Sequence, residues 1–178
     1  MTLSTWAFST RAFAGFVLAA SAIVLGAALT SQYWGGLVPC ELCVLQRWPW
    51  AVAITISIVA LFVAHDPSLR WIALVLGLVF LVGIGFAFYH LGVEQHWFAG
   101  PSACTSSTAA PRTLEEMRQR ILSAQVVRCD AVQWSFYGVS LAGWNLLASL
   151  AMAVICTAVF WYGRPVRRIG RDRRMLAR

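Results

Sequence analysis

At 178 residues the chain has room for one compact domain, and 60% of it is apolar against 12% charged, where a soluble protein carries about 25% charged residues. So much apolar surface cannot be hidden in a water-soluble fold of this size, and a bilayer is the natural solvent for it. The formal charge of +7 does not point to nucleic acid, because seven of the fourteen arginines fall within residues 164–178, directly after an apolar segment. A membrane topology signal belongs there.

A transmembrane helix needs about 20 mostly apolar residues, and four stretches qualify. The first covers residues 12–33 without a charge, longer than a signal-peptide core, and is read as retained. The second covers 44–64 with Arg47 near its start, the third 71–92, and the fourth 138–162. The polar turn His65-Asp66-Pro67-Ser68 separates the second from the third. The expected fold is an all-α integral membrane domain: a four-helix bundle with loops over 34–43 and 93–132 and a basic tail over 163–178.

Arg11, Arg70 and the tail arginines share one side of a four-span chain, which predicts cytoplasmic termini. The 93–132 loop balances Arg112, Arg118, Arg120 and Arg128 against Glu94, Glu115, Glu116 and Asp130, as a translocated loop should. Inside it, Thr113 with Glu116 fits a capping box, and Leu114, Met117, Ile121 and Ala124 recur at helical spacing. That pattern predicts a short amphipathic helix, lying on the membrane surface or packed on the end of the bundle.

Of the five cysteines, Cys40, Cys43, Cys104 and Cys129 map to the two translocated loops, where an oxidising compartment makes cysteines pair. Of three possible pairings, the C-x-x-C spacing selects Cys40 with Cys43 and leaves Cys104 with Cys129. The first pair closes too little chain to be a useful staple, so reactive chemistry is the better reading. A helix N-terminus and a nearby arginine both favour a thiolate, and Cys43 stands at the head of the second span with Arg47 one turn on. Arg47 can equally snorkel to lipid headgroups. Structural zinc sites use two closely spaced pairs, which this spacing does not provide, so no metal is expected. Cys156 sits among apolar residues and reads as packing.

The residues Pro39-Cys40-Glu41-Leu42-Cys43 with Gln46-Arg47-Trp48-Pro49, His90-Leu91-Gly92-Val93-Glu94, Gly100-Pro101-Ser102-Ala103-Cys104 and Cys129-Asp130-Ala131-Val132-Gln133-Trp134 resemble the DsbB family of bacterial disulfide bond formation proteins over about residues 12–162. The resemblance implies a redox relay in the bacterial inner membrane. A periplasmic DsbA-like thiol oxidase would be re-oxidised through Cys104–Cys129, and electrons would pass to Cys40–Cys43 and then to a membrane quinone, ubiquinone or menaquinone. It implies that Cys43, Arg47, Gln46 and His90 lie at the quinone, with Arg47 stabilising developing charge. An interfacial histidine with no ligand would suit position 90 equally well. Trp34, Trp48, Trp50 and Tyr89 fall near the same interface, as aromatics do for solvation reasons alone. Gln46 departs from relatives that carry an acid there, and the stretch between Cys104 and Cys129 matches only at its ends. Two competing readings are a scaffold with purely structural disulfides and a quinone reductase similar to vitamin K epoxide reductase, although in the latter the C-x-x-C lies on the last span.

Overall fold

The computed structural model describes residues 7–63, 68–101, 113–115, 118 and 128–165. Helix α1 (Thr10–Tyr33) starts where Ser9 accepts the Ala12 N–H at 3.1 Å, a Ser N-cap satisfying one of the orphan donors of a helix start. A short α2 (Glu41–Leu45) follows, then α3 (Trp48–Val63). Pro49 sits in the first turn of α3, where its missing N–H costs nothing. Helix α4 (Leu69–Glu94) and helix α5 (Leu141–Tyr162) complete the set.

Four segments are long and apolar enough to cross a membrane: Thr10–Tyr33, Glu41–Val63, Leu69–Glu94 and Leu141–Tyr162. Between 22% and 33% of each apolar window is buried inside the protein, so most of that surface faces outward. Water would not tolerate this arrangement, and lipid does. Of the expected spans, the second is two helices rather than one, because the chain turns at Gln46 and Arg47. The fourth begins at Leu141 rather than at 138. Residues Ser135–Phe136 (β2) and Val139–Ser140 (β3) pair antiparallel just before it. Tyr137 and Gly138 both have positive φ, 51° and 76°, as a two-residue type I′ turn requires.

At one end of the bundle β1 (Ala7–Phe8) pairs parallel with β4 (Arg164–Pro165). Arg70, at the start of α4, also belongs there. Its Nε donates to the Phe160 carbonyl at 3.0 Å, and its guanidinium lies 5.1 Å above the Phe160 ring. The C-x-x-C, the end of α4 and the β2–β3 hairpin occupy the opposite end. The expected surface helix lies mostly outside the described residues, although Leu114, Glu115 and Arg118 are helical.

The core runs along the junction of α1, α3, α4 and α5, with Val17, Trp50, Ala53, Leu76, Phe80 and Cys156 among its buried members. Trp50 was expected at the membrane interface. It is instead 2% exposed and packed edge-on against Phe80, with centroids 5.2 Å apart. Cys156 is buried in the same cluster as a free thiol. Small residues let the helices approach, as in other membrane bundles: a Cβ placed on Gly83 would lie 3.3 Å from Pro49 Cβ and 3.3 Å from Ser149 Oγ. Gly83→Val should therefore overpack the α3–α4–α5 junction and cost about 1–3 kcal/mol, read as a lower midpoint in detergent unfolding. Gly85→Ala, with nothing within 4 Å of the new methyl, should be neutral or up to about 1 kcal/mol more stable.

Candidate redox site

Pro39 fixes the approach to α2, and Cys40 serves as its N-cap, in extended conformation (φ −73°, ψ 169°). The Cys40 sulfur accepts the Cys43 N–H at 3.1 Å and donates its own proton to Cys43 Sγ at 2.7 Å. Both are free thiols in this structure, and their sulfurs are close enough for the expected disulfide to form between them. That hydrogen bond to Cys43, followed by burial, holds the Cys40 thiol well above the ordinary thiol range. Cys40 keeps its proton and offers it to its neighbour, so Cys43 is the sulfur placed to carry negative charge. Helix α2 spans five residues, so the long-helix dipole expected to act on Cys43 is reduced to about one turn. The N-cap thiol supplies the polarisation instead.

Arg47 lies at the break between α2 and α3, and its Nη1 donates to Gln32 Oε1 of α1 at 2.6 Å. The side chain ties α1 to the redox end, and its charge also acts on the Cys43 sulfur one turn back, as its spacing predicts. Gln46 is buried, with both ends of its amide engaged. Its Nε2 meets His90 Nδ1 at 2.6 Å and its Oε1 accepts from Asn145 Nδ2 at 2.6 Å. It stands behind His90 and does not line the cleft.

His90, near the end of α4, is 3% exposed. Its Nε2 lies 3.6 Å from Cys40 Sγ and 3.9 Å from Glu94 Oε1, and the ring also hydrogen-bonds the Cys129 backbone. Helix α4 ends in a Schellman motif that fixes this region: Trp97 N–H reaches the Gly92 carbonyl at 2.8 Å and His96 N–H the Val93 carbonyl at 3.1 Å. His96 takes the left-handed position, φ 61°, that this cap needs. Phe98 then folds back over Gly92 and stacks on Tyr89 at 6.0 Å. His96 remains a loop residue, as expected.

Cys129 is fully buried and packs in one cluster with Cys40, Cys43, Leu42 and Val93. It is disulfide-bonded; Cys104, the other cysteine of its expected pair, lies outside the described residues. Beside Cys129, Arg128 grips Asp130 with two hydrogen bonds of 2.9 and 2.7 Å. Arg128 thereby holds the Asp130 carboxyl below its usual range, and Asp130 pushes the guanidinium up. The cleft at this end is lined by Cys40, Cys43, His90, Glu94, Arg128, Trp134 and their neighbours.

Two residues of this site escaped the sequence reading. Glu94 enters the sequence pattern as a loop charge and as the last residue of the His90-Leu91-Gly92-Val93-Glu94 motif, with no role of its own. It is buried, and Ser140 Oγ donates to its Oε2 at 2.5 Å while capping α5 through the Gly143 N–H at 3.1 Å. Its spacing of four from His90 was the available signal, since i and i+4 share a helix face. Asn145 gave no such signal, because its partners, Gln46 and Trp50, are far away in sequence.

A buried and a half-buried thiol beside a buried, disulfide-bonded cysteine, at one end of four membrane-length helices, define a membrane protein of thiol–disulfide chemistry. The sequence model described as "Disulfide bond formation protein DsbB" matches residues 10–159, and the chain belongs to that family. Relatives named Disulfide bond formation protein B include one from Aromatoleum aromaticum, 31% identical over 162 residues (85% of this chain, 93% of the relative). One from Haemophilus influenzae is 31% identical over 156 residues (84% and 86%). Another, from Acinetobacter baumannii, is 29% identical over 157 residues (83% and 89%). No solved structure matches the chain. Family membership makes it, in general terms, a disulfide-forming oxidoreductase of the membrane.

The unequal roles of the two thiols have a direct chemical consequence. The thiolate is the nucleophile, so a small alkylating agent should modify half-buried Cys43 at least about tenfold faster than Cys40 in the reduced protein at neutral pH. Peptide mapping by mass spectrometry reads the ratio.

Proposed function

We propose that the chain is a thiol oxidase of the bacterial inner membrane that re-oxidises a DsbA-like periplasmic dithiol protein and delivers the electron pair to a membrane quinone, ubiquinone or menaquinone. Both termini lie in the cytoplasm in this reading, and the four loop cysteines face the periplasm. The observation that supports it is the buried cluster that Cys129 shares with Cys40, Leu42 and Val93, with Cys43 packed against it. Two cysteine pairs with separate structural jobs have no reason to meet. Two pairs that exchange electrons must.

The relay is a sequence of thiol–disulfide exchanges. A thiolate of the reduced partner attacks Cys104 in a Cys104–Cys129 disulfide, and the Cys129 sulfur leaves as a thiolate. The partner's second thiolate then displaces Cys104, so the partner departs oxidised and both loop cysteines are reduced. Exchange with a Cys40–Cys43 disulfide re-forms Cys104–Cys129 and leaves Cys40 and Cys43 as thiols. In this order the electron pair rests on Cys40 and Cys43 once Cys104–Cys129 has re-formed.

A quinone, when bound, supplies a two-electron acceptor for that pair. A quinone head needs a hydrogen-bond donor, a sulfur nucleophile and apolar surroundings, and Cys43, His90, Trp134 and Leu141 provide these around one cleft. Cys43 and His90 would hold it, with Arg47 contributing positive charge from the α2–α3 break and Gln46 acting through His90. Within the protein, Cys40 holds its proton until Cys43 has reacted, then gives it up as the Cys40–Cys43 bond re-forms. Glu94, kept in place by Ser140, is the carboxylate beside His90 for that proton.

Purified protein in detergent with a short-chain quinone and a reduced thioredoxin-like dithiol protein tests the relay, with quinone loss followed by absorbance. The native chain should turn over, and Cys43→Ser and Cys104→Ser should each fall to the protein-free rate. Native turnover no faster than the protein-free rate with every dithiol donor would refute the oxidase, and retained turnover in Cys43→Ser would refute the role of the inner pair.

A further inference from the structure

Four polar side chains from three helices form one continuous line behind the cleft. Trp50 Nε1 of α3 donates to Asn145 Oδ1 of α5 at 2.7 Å. Asn145 Nδ2 donates to Gln46 Oε1 at 2.6 Å, and Gln46 Nε2 lies 2.6 Å from His90 Nδ1 of α4. The direction of every link follows from the first. An indole N–H can only donate, so the Asn145 end that meets it must be the oxygen, which turns the Asn145 amide nitrogen to Gln46. Gln46 must then accept with its oxygen and donate with its nitrogen. His90 Nδ1 receives that hydrogen as an acceptor, and a neutral imidazole accepting at Nδ1 carries its proton on Nε2.

We propose that Asn145 is a positioning residue: through Gln46 it holds His90 as the Nε2–H tautomer, so that the imidazole meets the redox cleft as a hydrogen-bond donor. Nε2 faces Cys40 Sγ at 3.6 Å and Glu94 Oε1 at 3.9 Å, both of which are acceptors when ionised, and the ring also hydrogen-bonds the Cys129 backbone. In a water-poor site an oriented donor needs no reorganisation to meet negative charge as it develops. The same proton opposes another use of the site, because a cation would first have to displace it. The Cys40 and Cys43 sulfurs and a His90 nitrogen lie within 4.8 Å of one another, close enough to grip a cation. A histidine ligates through a lone pair, however, and the nitrogen facing the sulfurs has none to offer.

The catalytic meaning of this device rests on the redox reading above; the position of the proton does not. It is read directly from the 15N shifts of histidine-labelled, full-length protein in the reduced state. With three histidines in the chain, His90→Gln identifies the relevant signals. The native protein should show an unprotonated Nδ1 and a protonated Nε2 at neutral pH. Asn145→Asp keeps the shape and reverses the polarity. Its carboxylate accepts from Trp50 and also from Gln46, which turns its oxygen to His90, so Nδ1 should become protonated. Gln46→Glu imposes the same reversal one link later and serves if Asn145→Asp does not fold. Trp50→Phe removes the group that sets the direction and should yield a mixture of tautomers.

Turnover in Asn145→Asp should fall at least tenfold, with a larger effect on kcat than on the KM for the dithiol partner. A native His90 protonated on Nδ1, or a folded reversal variant with unchanged shifts, overturns the proposal. The expected tautomers without oxidase turnover in any form of the protein would uphold the positioning role and overturn the redox function instead.

Discussion

Polar side chains at membrane depth have little water to turn to, and at the redox end the larger ones find partners within the protein even though the Ser21, Ser57 and Ser149 hydroxyls in the spans have none among the described residues. That constraint organises the redox end of this chain. Trp50, Asn145, Gln46 and His90 satisfy one another across three helices. Ser140 satisfies both Glu94 and the first turn of α5. Because these groups cannot be left unpaired at low cost, they tie the α2–α3 break, the end of α4 and the start of α5 together, and the cleft forms between them.

The same constraint separates the two sulfurs of the C-x-x-C. Cys40 is consumed as a helix cap and as a donor to Cys43, and its proton is held there by the bond it makes. Cys43, one turn on and less buried, lies inside the helix and is free of the capping role. Two identical residues three apart thus acquire different work through the backbone alone, because one precedes the helix and the other lies inside it. Arg47 serves two neighbours where the chain turns between α2 and α3: its guanidinium donates to Gln32 on α1, and its charge acts on Cys43.

The aromatic residues show how burial redistributes similar side chains. Trp34 and Trp48 are exposed on the bundle surface, whereas Trp50 is withdrawn into the core against Phe80. Two positions separate Trp48 from Trp50, which on a helix places them on different faces. Its indole N–H still needs an acceptor, and Asn145 provides one. A tryptophan that composition alone would assign to the lipid interface becomes the anchor of the polar line leading to His90.

Residue pattern by itself determined the four apolar segments, the grouping of Cys40, Cys43, Cys104 and Cys129 in two loops, and the placement of His90 near them, because hydropathy and local spacing are properties of contiguous chain. It also carried the family, since the motifs around the cysteines are short and continuous. Only the tertiary structure decided that the second span breaks at Gln46 and Arg47, that Cys40 is the cap, that Cys129 packs against the C-x-x-C, and that Glu94 and Asn145 belong to the site. Each of these depends on side chains meeting across helices, from Gln46 to His90 and from Gln46 to Asn145. A contact between distant segments has no period along the sequence, so it becomes visible when the helices are packed.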